Sequence, residues 1–336
     1  MTAAGVQPIH VPGPAIVAAG LRRSFGSTEA VSGVDLAVQR GEIYGFLGPN
    51  GAGKTTVVRM LCTLLRPTSG TASVAGLDIV AHPGDVRLRI GVALQEAALD
   101  PDQTGNELLR LQARLFGLRR DDAARRIAEL TDLVDIGPAL DRKVRTYSGG
   151  MRRRLDLALA LVHEPEILFL DEPTTGLDPG SRREVWAEVQ RLNAERGLTV
   201  FLTTQYLEEA DALAGRVGII AQGRIVAEGS TEELKRRVGR DMVVVQLDGD
   251  IDAAKGVVNG LPDVERVEQM GSELSLAVTD GPAAIPVVAA ALADVPGVAV
   301  REMALRRPTL DDVFFAITGQ APPPDPGESQ RTGERP

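Results

Sequence analysis

GPNGAGKT, residues 48–55, fits the pattern G-x-x-x-x-G-K-[ST]. In such a loop the glycines let backbone N–H groups curl around the β- and γ-phosphates of a nucleotide. Lys54 supplies a point charge, and Thr55 offers a hydroxyl to Mg²⁺ at the positive end of the following helix. Lys54 stands out further because the chain has only four lysines in an arginine-rich basic complement. The apolar run GEIYGFLG precedes the loop and TVVRMLCTLL follows it, so the hydrophobic period changes from strand-like to helical across the glycines. Strand, glycine loop and helix in that order form a phosphate-binding unit.

Working outward, IVAAGLRRSF and VSGVDLAV make a strand-rich start, and GVALQ is a strand ending at Gln95. Residues from about 102 to 145 are predicted helical, part of an inserted helical subdomain reaching to about 160. Beyond it MRRRLDLALALVH, REVWAEVQRLNAE and YLEEADALA are helical, while EILFLDEP and LTVFLTT are short and apolar throughout. Apolar strands alternating with helices predict a parallel sheet covered on both faces. The predicted fold class is α/β, a P-loop NTPase over residues 16–239 with a small C-terminal α+β domain over 240–319. That domain follows the order β-α-β-β-α-β of a ferredoxin-like unit, and a short helix with Leu310, Val313, Phe314 and Ile317 on one face closes it. Residues 1–15 read as a flexible tail, and the Pro-rich stretch 320–336 as disordered.

Two further motifs carry chemistry. In ILFLDE, Asp171 and Glu172 end a buried strand, where open α/β sheets bind ligands. Mg²⁺ prefers a carboxylate with phosphate oxygens and water, which makes Asp171 the partner of Thr55, and leaves Glu172 to orient and deprotonate an attacking water. In YSGGM, Ser148, Gly149 and Gly150 open an Arg-rich helix and offer a hydroxyl and free amides to a second phosphate contact; taken alone, this is a helix cap.

Composition narrows the alternatives. A net charge of −9 argues against binding nucleic acid chiefly through phosphate neutralisation. Cys62 is the only cysteine and reads as core packing; His10, His82 and His163 lack metal-ligand spacing. No stretch has the length of apolar sequence expected of a membrane-spanning helix.

GPNGAGKTT, Gln95, YSGGM, ILFLDEP, the GLD at 176–178 and a polar residue after the next strand occur in the order and spacing of ABC transporter nucleotide-binding subunits, which the chain resembles over roughly residues 16–238. The resemblance implies a head-to-tail homodimer, with each ATP held between Gly48, Pro49, Asn50, Gly51, Ala52, Gly53, Lys54, Thr55 and Thr56 of one subunit and Ser148, Gly149 and Gly150 of the other. It implies that Gln95 contacts Mg²⁺ or the attacking water and faces a membrane partner, that Asp178 connects the two sites, and that Phe25 stacks on adenine. Tyr147 and Met151 depart from the commoner Leu and Gln of the signature, and neither change touches the Ser-Gly-Gly core.

The C-terminal region, TTQYLEEAD and PTLDDVFFAITG resemble the daunorubicin-resistance type of ATP-binding subunit. That resemblance implies a separate ABC-2 type permease, a place at the cytoplasmic face of the cell membrane, no nucleic-acid partner, and ATP-driven export of a drug or antibiotic. Export of a lipid, polysaccharide or other cargo would leave every ATPase residue unchanged. A non-transport ATPase acting on DNA or the ribosome is disfavoured: the chain has one ATPase unit, and no long coiled coil fits between Lys54 and Ser148. Where most of the family has a histidine, this chain has Gln205, which can donate and accept hydrogen bonds but cannot titrate. Its expected role is contact with the γ-phosphate and water; the alternative is that it caps the YLEEADALA helix.

Overall fold

The computed structural model describes residues 13–94 and 99–318 and breaks in packing between Thr231 and Glu232. The first unit begins with two long antiparallel strands, β1 (Ile16–Phe25) and β2 (Thr28–Val38). β3 (Ile43–Leu47), buried along its whole length, then leads through the glycine loop to α1 (Lys54–Leu61). β4 (Ser69–Val74) and the short β5 (Leu77–Asp78) complete a four-stranded antiparallel sheet of order β2-β1-β4-β5. A short helix, α2 (Pro83–Arg87), connects it to β6 (Ile90–Ala93).

The helical insertion contains α3 (Gly105–Leu115), α4 (Arg120–Leu133) and α5 (Gly149–Leu161). Thr104 starts α3 with a capping box, its hydroxyl accepting from the Glu107 amide while Glu107 accepts from the Thr104 amide. The helical stretch expected to reach about 145 stops at Leu133. Asp135 turns left-handed at φ 46 and Gly137-Pro138 follow, so the chain continues only as short 3₁₀ turns.

The remaining elements are β7 (Ile167–Asp171), α6 (Pro179–Arg196), β8 (Thr199–Thr204), α7 (Leu207–Leu213), β9 (Arg216–Ala221) and β10 (Arg224–Ser230). The central sheet has the order β10-β9-β3-β8-β7-β6 and is parallel except at β10. β7 and β8 are buried at every position, as expected of parallel strands covered on both faces. β10 returns antiparallel because Gln222 and Gly223 both adopt positive φ, 50 and 75, the geometry of a tight hairpin turn. Four aromatics pack together in the core behind the glycine loop: Phe201 packs on Tyr44, Phe46 and Phe169 at centroid distances of 5.6, 5.5 and 5.6 Å. Cys62 is buried in this core, and His163 stacks on Phe116 at 3.7 Å with Nε2 2.9 Å from the Ile90 carbonyl oxygen, so both are structural.

After α8 (Thr231–Val238), the second unit runs β11 (Asp241–Gly249), α9 (Ile251–Val258), β12 (Val264–Met270), β13 (Glu273–Val278), α10 (Gly281–Ala293) and β14 (Val298–Arg306). Its sheet has the order β12-β13-β11-β14, with every pair antiparallel, the arrangement of a ferredoxin-like unit. Val243, Val245, Leu274 and Leu276 from the sheet share one apolar core with Ala254, Val258, Val288 and Leu292 from the two helices. In α11 (Leu310–Thr318) Leu310, Val313 and Phe314 are buried, but Ile317, in the final turn, is 37% exposed rather than sharing their burial.

Candidate nucleotide site

Strand register assembles the site. Leu47 of β3 lies opposite Thr204 of β8, and Asp171 of β7 lies opposite Thr203. The residues that follow, Gly48, Gln205 and Glu172, therefore leave the sheet side by side at its carboxyl edge. One cavity of about 660 Å³ there is lined by Pro49, Asn50, Gly51, Gly53, Lys54, Thr55, Thr56, Glu172 and Gln205. Ala30 and Thr175 join them and were not anticipated from sequence.

The loop requires glycine where it bends closest to its neighbours. A Cβ on Gly48 would lie 2.4 Å from the Ile220 carbonyl oxygen, and Gly53 holds φ 107 with the Ala30 carbonyl 2.6 Å from where its Cβ would be. Gly48 and Ala52 shape the loop without lining the cavity, Ala52 being buried at 4% exposure. Lys54 Nζ donates to the carbonyl oxygens of Gly48 and Pro49 at 2.7 and 3.3 Å and stands 3.5 Å from Glu172 Oε1. Burial lowers the Lys54 pKa, while Glu172 and Asp171 act in the opposite direction.

Asp171 is buried and accepts hydrogen bonds from the hydroxyls of Thr55, at 3.4 Å, and Thr203. Glu172 sits left-handed at φ 50, a backbone state that costs a non-glycine residue on the order of 1 kcal/mol and is held by its surroundings. The surroundings are specific: its amide donates to the carbonyl and hydroxyl oxygens of Thr203 at 3.0 and 3.2 Å, and Thr175 Oγ1 donates to its Oε2 at 3.3 Å. Gln205 faces the cavity, whereas the cap position of α7 falls on Tyr206 and carries no side-chain cap bond. Helix capping does not account for Gln205.

Ser148, Gly149, Gly150, Asp178 and Phe25 do not line this cavity within one chain. Ser148 caps α5, accepting from the Met151 amide at 3.2 Å, with its own edge and Gly149 exposed. Gly150 packs so closely that a Cβ would lie 3.0 Å from Ser181 Oγ. Asp178 caps α6; bonds from the Ser181 hydroxyl and amide and the Gly180 amide hold its carboxyl below the usual range. Phe25 is 48% exposed with the Arg23 guanidinium 4.6 Å from its ring centre. Gln95 lies outside the described residues. The Tyr147 departure has a structural reason: its buried hydroxyl donates to the Ala139 carbonyl at 2.6 Å, beside Gly105, where a Cβ would come within 2.7 Å.

The donor set suits Mg²⁺. Thr55 and Asp171 offer one hydroxyl and one buried carboxylate, and no group of three His, Cys, Asp or Glu that could hold a metal occurs among the described residues. Two hard oxygen donors are what Mg²⁺ takes from a protein when phosphate oxygens and water complete its octahedron.

The chain is also similar to known proteins. The family model for ABC transporter matches residues 31–175, and that for the ATP-binding protein DrrA1-3-like C-terminal domain matches 229–318. The daunorubicin resistance ATP-binding protein DrrA2 of Streptomyces coeruleorubidus is 47% identical over 91% of this chain and 96% of its own. The daunorubicin/doxorubicin resistance ATP-binding protein DrrA of Streptomyces peucetius is 43% identical over 96% of this chain and 97% of its own. Among solved structures, an ATP-binding subunit of an ABC transporter superposes with a TM-score of 0.60 at 26% identity, covering 66% of this chain and 92% of that one.

Proposed function

The chain belongs to the ABC transporter ATP-binding subunits of the daunorubicin-resistance type, and from that premise we propose that it hydrolyses ATP to drive export of a drug or antibiotic through a separate permease. The observation that carries this reading is the meeting of Lys54, Thr55, Glu172 and Gln205 in one cavity at the carboxyl edge of the sheet.

In this reading each residue has a role. The loop amides and Lys54 bind the β- and γ-phosphates, with Lys54 leaving its contacts to the Gly48 and Pro49 carbonyls for phosphate oxygens. Thr55 and Asp171 hold Mg²⁺, which when bound neutralises charge developing on the phosphates. Glu172 accepts the proton of the attacking water, and Thr175 and Thr203 fix its carboxylate and backbone for that task. Gln205 donates its amide to the γ-phosphate and orients the water, but it cannot take the proton. By the resemblance to the family alone, Phe25 stacks on adenine and Gln95 contacts Mg²⁺ or water.

Ser148, Gly149 and Gly150 lie outside the cavity of their own chain. They serve a second copy paired head to tail, with Asp178 connecting the two sites. Among the described residues no helix is long and apolar enough to cross a membrane. In this reading the membrane path belongs to an ABC-2 type permease, and the subunit sits on it at the cytoplasmic face.

The test is drug accumulation in cells carrying the chain with its neighbouring permease, comparing wild type with Glu172→Gln across a compound panel. Accumulation is expected to rise in the variant for at least one amphipathic drug. Unchanged accumulation of every drug, with altered lipid or polysaccharide export, would transfer the same ATPase to a different cargo.

A further inference from the structure

Glu209 stands in the acidic run LEEAD, which reads as a solvent-facing helix, yet its side chain is fully buried. Its Oε1 accepts the Thr174 hydroxyl at 2.8 Å and the Trp186 indole N–H at 3.0 Å. Three segments therefore converge on one carboxylate. Thr174, also fully buried, belongs to the turn that leaves β7 through the left-handed Glu172. Trp186 belongs to α6, the helix that Asp178 caps, and Glu209 itself lies one turn beyond Gln205 on α7. A second contact reinforces the joint, with the Arg182 guanidinium of α6 5.0 Å from the ring centre of Tyr206.

Burying a carboxylate is costly unless its hydrogen bonds repay the lost hydration. Burial raises the proton affinity of Glu209, and hydrogen bonds from Thr174 and Trp186 act against that rise. An apolar residue would fill the same space without this cost, so packing alone does not explain an acid here.

We propose that Glu209 is a positioning residue of the ATPase site, holding the Glu172 turn and the Gln205 turn in one register and joining both to α6. The inference rests on the reading of Glu172 and Gln205 as the residues that handle the γ-phosphate and the water. Nucleotide that moves either turn shifts the Thr174–Glu209–Trp186 chain, and Trp186, the only tryptophan in the sequence, reports it.

The experiment uses the purified full chain. Wild type and Glu172→Gln first establish the background: turnover in the former and none in the latter. Glu209→Leu and Thr174→Val are expected to lower kcat about tenfold or more with KM for ATP little changed. Glu209→Gln keeps an acceptor oxygen for both donors and restores turnover to near wild type. Trp186 emission of the Glu172→Gln protein is expected to change on adding MgATP, and Thr174→Val in that background to remove most of the change while the nucleotide-free spectrum stays the same. Thr174→Val removes one hydroxyl and leaves volume and helix intact, so it remains informative if Glu209→Leu fails to fold. Wild-type kcat in Thr174→Val, an undiminished emission response, or a KM that rises as kcat falls would each overturn the proposal while leaving the ATPase reading in place. A wild-type chain without turnover, alone or with its permease, would overturn both.

Discussion

The Lys54 ammonium stands 3.5 Å from Glu172 Oε1, both side chains nearly buried at 4% and 7% exposure. The lysine and the acid proposed as the base form an ion pair in the cavity, each offsetting the cost of burying the other. In the proposed mechanism phosphate takes the place of this pairing on the lysine and water on the carboxylate.

Substituting Glu172→Gln separates binding from chemistry. The carboxamide preserves the shape and the acceptor for Thr175, and Lys54 loses a partner that phosphate replaces. ATP affinity is expected to hold or tighten while turnover falls at least about a hundredfold, the usual contribution of a general base. Equilibrium binding and phosphate release, measured on the same preparation, check it; parallel loss of both would remove Glu172 from the role of base.

If Gln205 acts as proposed, through hydrogen bonds and without proton transfer, the two substitutions at this position should diverge. Gln205→Ala removes the donor and acceptor facing the cavity and is expected to slow turnover by about tenfold to a hundredfold. Gln205→His restores both and largely preserves the rate. Near-normal turnover in the alanine variant would return Gln205 to a local structural role.

How much of this was legible in sequence depends on whether the chemistry or the packing selects the residue. Gly48 through Thr56, Asp171 and Glu172 stand out in the sequence because phosphate and Mg²⁺ demand those residue types at that spacing, and the structure brings Lys54, Thr55 and Glu172 to one cavity. Thr203 and Thr175 do not stand out, because β7 and β8 only meet through register and a threonine hydroxyl there looks like any strand residue. Glu209 was misleading for the same reason: its partners Thr174 and Trp186 lie on other elements, and locally it looks like surface charge. The antiparallel β10 did have a signal in the Gln222-Gly223 turn, but the alternation of strands and helices masked it.

In the proposed head-to-tail dimer a complete site takes Lys54 and its loop from one copy and Ser148 from the other; within one chain Ser148 does not line the cavity of Lys54. Lys54→Ala and Ser148→Arg homodimers should each be inactive, the first lacking the phosphate contact and the second filling the capping surface of α5. Mixing them produces heterodimers in which one site carries both defects and the other carries none. Turnover is therefore expected to reappear on mixing, saturating below wild type, and chromatography with ATP should show a dimer. Mixtures as inactive as their components would exclude sharing between copies.

Asp156 predicts a pH dependence that does not involve nucleotide. Burial pushes its carboxyl up to about 6, against the pull of Arg153, whose Nη1 lies 2.9 Å away. The folded state therefore binds this proton more tightly than the unfolded chain. The stability it contributes is complete below the ordinary value of 3.8 and is lost as pH rises through about 6. A shift of that size corresponds to at most about 3 kcal/mol. Asp156→Asn should cancel this part of the slope between pH 4 and 6. It should also raise stability at pH 7, because the neutral carboxamide, like the protonated acid, avoids the cost of ionising this buried group. Denaturation midpoints of both proteins across that range test the claim, since groups common to both cancel in the difference. Parallel curves would mean that Asp156 stays ionised throughout, held by Arg153.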